Sequence, residues 1–67
     1  MNLTQTNRII RPLGWGDLTT RQRYKYWWEA QCTRESDGKV VSEHGATRKM
    51  ALDRLAETIQ KMEEAGE

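Results

Sequence analysis

Apolar and polar residues alternate through residues 20–33, a pattern that predicts a β-strand. Every second residue is apolar: Tyr24, Tyr26, Trp28, Ala30 and Cys32. The residues between them are polar apart from one tryptophan: Arg23, Lys25, Trp27, Glu29 and Gln31. Because successive side chains of a strand point to opposite faces, we expect the first set to face the core and the second to face solvent. This alternation assigns Trp28 to folding and Trp27 to an exposed surface.

A different spacing predicts an amphipathic helix near the C-terminus, over about residues 48–65. Its apolar residues recur at intervals of three and four: Ala51, Leu52, Leu55, Ala56, Ile59 and Met62. That spacing draws one apolar stripe along a helix. Thr47 is expected to cap the N-terminus, because its hydroxyl can accept a hydrogen bond from a backbone N–H of the first turn. Glu57 and Lys61 stand in the favourable i, i+4 order.

Shorter elements are predicted before the alternating strand. Residues 1–7 are polar and are expected to be flexible. Residues 8–11 form an isoleucine-centred run that Pro12 stops, which is typical of an edge strand. Residues 13–17 contain two glycines and are expected to turn, with Trp15 folding back onto the core.

A hairpin turn is predicted at residues 34–38, which end in Asp-Gly, and a returning strand at residues 39–44. A loop of two or four residues would put Val41 on the same face as Cys32. A loop of three residues would instead turn this set inward: Val40, Ser42 and His44. A register shift of one residue reverses every side chain, so both alternatives stay open at this stage.

Together these elements predict a single α+β domain over residues 1–67. Its two- or three-stranded antiparallel sheet, over about residues 8–46, packs on the one C-terminal helix. A chain of this length buries only about 60% of the surface that it exposes when unfolded. A homodimer is a possible way to bury more.

Charge is unevenly placed, although the formal net charge is only +1. Residues 1–25 carry five basic side chains against one acidic side chain, a net of +4. Residues 26–67 carry six basic against nine acidic side chains, a net of −3. Such asymmetry is typical of a polyanion-binding end beside an acidic end, although ordinary surface variation produces it too.

Several functional classes have little support in these residues. The single cysteine, Cys32, cannot form an internal disulfide and is expected to be a buried small hydrophobe. With one cysteine and one histidine, His44, the chain is not expected to hold a metal or another cofactor. Cys32 and His44 lie on strands expected to pair, but a structural role is favoured, so no enzyme is predicted. No apolar leader or membrane-length stretch is present, which favours a cytoplasmic protein without membrane contact.

Nucleic-acid binding has more support, from cations that flank an outward-facing aromatic residue. The candidate contact residues are Arg21, Arg23, Lys25, Trp27 and Gln31. Arginine and lysine contact phosphates, arginine and glutamine can bond base edges, and an aromatic ring can pack on a sugar or a base. The alternative is an ordinary solvated strand whose Trp27 is covered by the N-terminal segment.

About residues 20–62 resemble the AP2-like, arm-binding DNA-binding domains of phage and transposon tyrosine integrases. The resemblance is carried by three segments: Tyr26-Trp27-Trp28-Glu29-Ala30, Asp37-Gly38-Lys39 and Gly45-Ala46-Thr47-Arg48-Lys49-Met50-Ala51-Leu52. It implies a three-stranded sheet that enters the major groove, backed by a C-terminal helix. The residues that it implies would face DNA are Arg21, Arg23, Lys25 and Trp27. The helix start also resembles that of HicB-like antitoxin domains and, more loosely, of double-stranded-RNA-binding domains, whose lysine cluster would correspond to Arg48 and Lys49.

We therefore expect a small non-enzymatic module of phage or mobile-element origin that contacts DNA through an exposed sheet face. The alternative is a small phage-type protein that binds and inhibits a host protein or nucleoprotein complex. Tryptophan, tyrosine and arginine dominate protein-interface hot spots, and an acidic helix can occupy a groove meant for nucleic acid. The net charge of +4 in residues 1–25 favours DNA, and the net charge of −3 in the remainder favours a protein.

Overall fold

Three antiparallel strands form one sheet in the order β1–β2–β3, flanked in the chain by two helices. The computed structural model describes residues 1–66. Its elements are α1 (Leu3–Ile10), a 3-10 turn (Arg11–Leu13), β1 (Trp15–Tyr24), β2 (Trp27–Arg34), β3 (Val40–Gly45) and α2 (Arg48–Ala65). The predicted α+β class is confirmed, with three strands rather than two and with the C-terminal helix against the sheet. Glu67, the end of the predicted domain, lies outside the described residues.

Both helices contribute to the core on one face of the sheet. Ile10 of α1 and the apolar stripe of α2 join Ala30 and Cys32 of β2 in a single buried cluster, and the two helices contact each other. The opposite face of the sheet is therefore left uncovered by α1 and α2. Within residues 1–66, neither helix combines the length and the apolar character needed to cross a bilayer.

The N-terminal segment is a helix, so the predictions of a flexible stretch at residues 1–7 and an edge strand at residues 8–11 are wrong. Asn2 and Gln5 form a reciprocal capping box: the Asn2 side chain accepts from the Gln5 backbone N–H at 2.8 Å, and the Gln5 side chain accepts from that of Asn2 at 2.9 Å. Thr6 and Ile10 are buried one turn apart. One capping box and two anchoring side chains thus hold a short helix, and the sheet begins at Trp15 instead of residue 8.

The predicted strand over residues 20–33 is a hairpin, because the chain turns at Lys25 and Tyr26. Ala30 and Cys32 face inward as predicted, and Trp28 is partly buried. The two tyrosines are not in the core, contrary to the prediction, because Tyr24 is 71% exposed and Tyr26 is 69% exposed. Alternation is a local signal that continues through a two-residue turn, so it assigned a core position to side chains beyond the covered part of the sheet.

The second hairpin has the four-residue loop, one of the alternatives that the sequence left open. The Arg34 backbone N–H donates to the Lys39 carbonyl at 2.8 Å, so the loop comprises residues 35–38. Cys32 pairs directly with Val41, which is partly buried against the core. The other residues of β3 in question, Val40, Ser42 and His44, are exposed.

The C-terminal helix spans Arg48–Ala65, and its buried residues are the six of the predicted stripe. Thr47 caps it by accepting from the Met50 backbone N–H at 3.2 Å, and Lys61 pairs with Glu57 at 3.0 Å. The close approach of the β3 end to the helix requires Gly45, because a Cβ there would lie 2.8 Å from the backbone nitrogen of Ala51.

Trp15 starts β1 rather than lying in a turn, and it is the largest fully buried side chain of the described residues. Its Nε1 donates to a Glu63 carboxylate oxygen at 3.1 Å, which satisfies the polar end of the indole. The Arg34 guanidinium lies over the ring, 5.4 Å from its centroid. Trp15 therefore joins the start of β1 to the end of α2.

Candidate nucleic-acid interface

The sheet face that the helices leave uncovered, here called the open face, carries polar and aromatic side chains from all three strands. Strand pairing places Arg21 opposite Glu29, Glu29 opposite His44, and Gln31 between Thr19 and Ser42. Directly opposed residues of paired strands point to the same face. The members of the open face are Thr19, Arg21, Arg23, Trp27, Glu29, Gln31, Ser42 and His44.

Two arginines on the open face are held loosely by one carboxylate. Arg21 and Arg23 each approach Glu29, with nitrogen–oxygen distances of 3.7 Å. Both arginine side chains are substantially exposed, at 65% and 47%, and exposed ion pairs contribute little to stability. A phosphate can therefore replace Glu29 as the partner of either guanidinium at small cost.

Aromatic rings form a row across the three strands at the end of the sheet next to the first hairpin turn. Trp27 stacks on His44, with ring centroids 4.3 Å apart and planes within 11° of parallel. On its other side, Trp27 pairs with Tyr24 across β1 and β2. His44 thus covers one face of the indole. Trp27 remains 40% exposed and is not covered by the N-terminal segment.

The turn that joins β1 to β2 projects a cation and a second tyrosine. The Lys25 ammonium lies 5.4 Å from the centroid of the Tyr26 ring, within cation–π range. Tyr26 has a φ of +62°, in the left-handed region that glycine and asparagine prefer. A large side chain therefore occupies a backbone position that disfavours it.

The start of α2 adds two further cations at the same end of the molecule. Trp28 pairs with Gly45, and the Arg48 guanidinium lies 5.0 Å from the Trp28 ring centroid, which links the α2 start to the hairpin turn. Lys49 follows Arg48, and the first turn of α2 contains no acidic residue. We call the set Arg23, Lys25, Arg48 and Lys49 the basic end.

Cations in the first turn of a helix are opposed by the positive end of the helix dipole, which favours anions there. The N-terminus of α1 lies beside the α2 start as well, because Met1, Asn2 and Leu3 line a shallow notch with Trp28 and Arg48. The Met1 amino group, which lines this notch, pairs with Asp53 of α2 at 2.8 Å. The basic end thus brings Arg48 and Lys49 beside the N-termini of both helices.

The opposite end of the molecule is acidic. Glu63 and Glu64 end α2, and Asp37 lies in the second hairpin loop. The Arg34 guanidinium hydrogen-bonds Asp37 and, together with the Lys39 backbone N–H, holds the pKa of that carboxyl well below its usual range. Asp37 is accordingly ionised near neutral pH, with its charge paired to that of Arg34, so the acidic character of this end comes from Glu63 and Glu64.

Four of the five predicted contact residues, Arg21, Arg23, Trp27 and Gln31, lie on the open face, and Lys25 lies in the adjoining turn. The structure brings the two arginines together around Glu29, whereas Gln31 is partly buried further along β2. The contact residues predicted from the sequence did not include Tyr24, Tyr26 or His44 of this region, and Arg48 and Lys49 entered only through the resemblance to double-stranded-RNA-binding domains. The four-residue loop would have placed His44 outward, and the two consecutive cations after the Thr47 cap were a visible signal.

Cys32 and His44 do not form a catalytic pair, because they point to opposite faces of the sheet. Burial raises the pKa of the Cys32 thiol to about 11, so the thiol is protonated near neutral pH. Across residues 1–66, no group of three or more metal-ligating side chains lies close enough together to hold an ion.

Comparisons with protein-family models, with curated proteins and with solved structures find no match to this chain.

Proposed function

We propose that this chain is a small nucleic-acid-binding module that uses the open face and the basic end together. One observation carries the proposal: arginines of β1 and the lysine of the first hairpin turn stand beside exposed aromatic side chains, and Arg48 lies on the other side of the same sheet end, over Trp28. Arg21 and Arg23 come from β1, Lys25 from the turn, and Arg48 with Lys49 from the start of α2.

Each part of this surface suits one component of a nucleic acid. The five cations suit phosphates, because lysine and arginine release condensed counterions when they contact the backbone. Trp27 offers a flat apolar surface to a sugar or a base, and Gln31 offers an amide to a base edge. The resemblance to AP2-like domains favours DNA on the open face, and the resemblance to double-stranded-RNA-binding domains favours phosphate contact at Arg48 and Lys49.

Salt dependence tests this proposal. In fluorescence anisotropy titrations with labelled DNA and RNA, affinity should fall roughly 100-fold between 50 and 200 mM salt if about four phosphates are contacted. Arg21→Gln with Arg23→Gln should weaken binding and reduce the slope of log K against log salt by about two. Arg48→Gln with Lys49→Gln should do the same. Glu29→Gln should strengthen binding, because it frees both β1 arginines.

The chain offers a matched control for these charge removals. Arg8 and Arg11 belong to the same basic half of the sequence, but Arg8 lies beside Glu63 and Glu64 at the acidic end. Arg8→Gln with Arg11→Gln should therefore leave the salt slope unchanged. Absence of binding to every nucleic acid at 50 mM salt would rule the proposal out.

The second candidate is a module that binds a host protein, and the exposed tyrosines favour it. Tyr24 and Tyr26 are the most exposed large apolar side chains of the described residues, and aromatic side chains are enriched in interface hot spots. Under this hypothesis, affinity capture from nuclease-treated host lysate should recover one partner in stoichiometric amount, and Tyr26→Ala should abolish the capture. Loss of every partner after nuclease treatment would instead point to nucleic-acid bridging.

A further inference from the structure

We propose that the surface around the first hairpin turn binds unpaired bases, so that the preferred ligand is single-stranded nucleic acid or a duplex with unpaired nucleotides. This inference rests on the proposed function and names its ligand more closely. The residues that carry it are here called the aromatic patch: Tyr24, Tyr26, Trp27 and His44.

The first observation is that the fold leaves most of its large aromatic side chains outside the core. Three of the five tyrosines and tryptophans are exposed by 40% or more, namely Tyr24, Tyr26 and Trp27. A chain of this size has few large apolar residues with which to build a core. The exposed rings therefore have no packing role that explains their number.

The second observation is the arrangement of the rings. The stack between Trp27 and His44 covers one face of the indole and leaves the other face free of His44, while Trp27 remains 40% exposed and pairs with Tyr24 across the strands. A planar ring that enters from solvent can stack on this free face. Paired bases inside a duplex are stacked on their neighbours and cannot do so, whereas an unpaired base presents its π-face.

The third observation is the backbone at Tyr26. A two-residue hairpin turn with a positive φ is most easily built with glycine, asparagine or aspartate. This turn instead places tyrosine at a φ of +62°, and the ring is 69% exposed. Stability alone does not account for tyrosine at this position, but a ring used in binding does.

The charges beside the aromatic patch select nucleic acid as its occupant. Arg21 and Arg23 flank it on β1, and Lys25 stands between the two tyrosines. Proteins that bind single-stranded nucleic acid combine aromatic rings with cations. The bases stack on the rings, and the phosphates pair with arginine and lysine. An apolar protein segment would gain nothing from three cations at the rim.

The test compares ligands of one sequence that differ only in pairing. Anisotropy titrations would use a single strand of about 12 nucleotides, its blunt duplex, and the duplex with an unpaired 3′ tail, all at the same salt concentration. We expect the single strand and the tailed duplex to bind about tenfold more tightly than the blunt duplex, since stacking of one base is worth that much or more. Tyr24→Leu with Tyr26→Asn should remove this preference and leave the salt slope unchanged.

Two single variants separate the binding role from folding. Tyr26→Asn should raise the melting temperature, because asparagine tolerates positive φ, and should weaken binding to unpaired bases. Tyr26→Phe should keep the affinity, because stacking needs the ring and not the hydroxyl. Val40→Ala is the control, since Val40 is an exposed apolar residue of the same sheet at the opposite end from the turn.

The outcomes distinguish this inference from the proposed function. Equal affinity for blunt and tailed duplexes, with a steep salt slope, would overturn the inference and keep the nucleic-acid function. Unchanged affinity in the Tyr26→Asn variant would also overturn it. Failure to bind any of the three ligands would overturn both.

Discussion

Trp15 is the tryptophan on which the core depends. It is completely buried, it donates to Glu63 through its indole nitrogen, and it lies under Arg34. Trp28 has a different environment, partly buried between the N-terminus and the start of α2. Alternation alone assigned Trp28 to folding, but it could not rank the two tryptophans. The rank depends on how far each helix covers the sheet, which is a property of tertiary packing.

At the residue scale we predict that Trp15→Ala destabilises the protein by about 3–5 kcal/mol, because it leaves a large cavity and removes the hydrogen bond to Glu63. In a domain this small, that loss consumes much or all of the free energy of unfolding. Trp28→Ala should cost less, since its ring is already partly in solvent. Trp27→Ala should change stability least and should abolish nucleic-acid binding. Urea unfolding followed by circular dichroism measures the change in the free energy of unfolding for each of the three variants.

The ranking is the part of this prediction most easily contradicted. Equal losses in the Trp15→Ala and Trp28→Ala variants would show that the α2 start covers Trp28 as completely as the core covers Trp15. A loss for Trp27→Ala as large as either would show that its stack on His44 is structural.

At the element scale, α2 was predictable and the N-terminal half was not. The apolar stripe of α2 runs from Ala51 to Met62, about three turns, and Thr47 caps the helix, so periodicity and capping predict the same element. The stability of α1 depends on one capping box and on the burial of Thr6 and Ile10, which is a tertiary contact that no periodicity reveals in eight residues. The turn at Tyr26 was missed because it lacks the glycine or asparagine that normally marks one.

The charges of α2 oppose its dipole at both ends. Arg48 and Lys49 stand in the first turn, and Glu63 with Glu64 stands in the last. Each such charge costs roughly 0.3–1 kcal/mol at an exposed position. Glu63 is accounted for by its hydrogen bond to Trp15 and Arg48 by its contact with the Trp28 ring, whereas Lys49 would be accounted for by the proposed nucleic-acid binding.

We therefore predict that Lys49→Glu raises the melting temperature and weakens nucleic-acid binding, because it favours the dipole while it removes a phosphate contact. Glu64→Lys is the matched variant at the other end of the same helix. It should raise the melting temperature in the same way and should not weaken binding. Thermal unfolding and anisotropy on the same preparations test both. A Lys49→Glu protein that binds as tightly as the wild type would exclude the α2 start from the interface.

On the scale of the whole molecule, folding redistributes the charges of the sequence. The basic and acidic ends do not coincide with the basic and acidic halves of the sequence. Arg8 belongs to the basic half but lies beside the glutamates of the acidic end, whereas Arg48 and Lys49 belong to the acidic half and lie at the basic end. The sequence therefore indicated that the charge distribution is asymmetric, and the folded structure determines where the basic and acidic side chains lie.

The buried thiol of Cys32 reports on the whole fold, because it becomes accessible when the sheet separates from α2. Burial raises the pKa of this thiol to about 11, whereas the pKa of a cysteine thiol in an unfolded chain is about 8.5. The unfolded state therefore releases a proton over this range while the folded state keeps it, and stability should fall as the pH rises from about 8.5 toward 11.

We predict that the urea midpoint of the wild type decreases more steeply over this pH range than that of Cys32→Ala. The alanine variant starts from a lower stability, since it loses buried volume, but it lacks the thiol and so isolates its contribution from the lysines and tyrosines common to both proteins. Reaction of the native thiol with Ellman's reagent should also be slow and should accelerate with urea in parallel with unfolding. Identical pH slopes in the two proteins, or rapid reaction without denaturant, would show that solvent reaches Cys32 while the sheet and α2 are still packed.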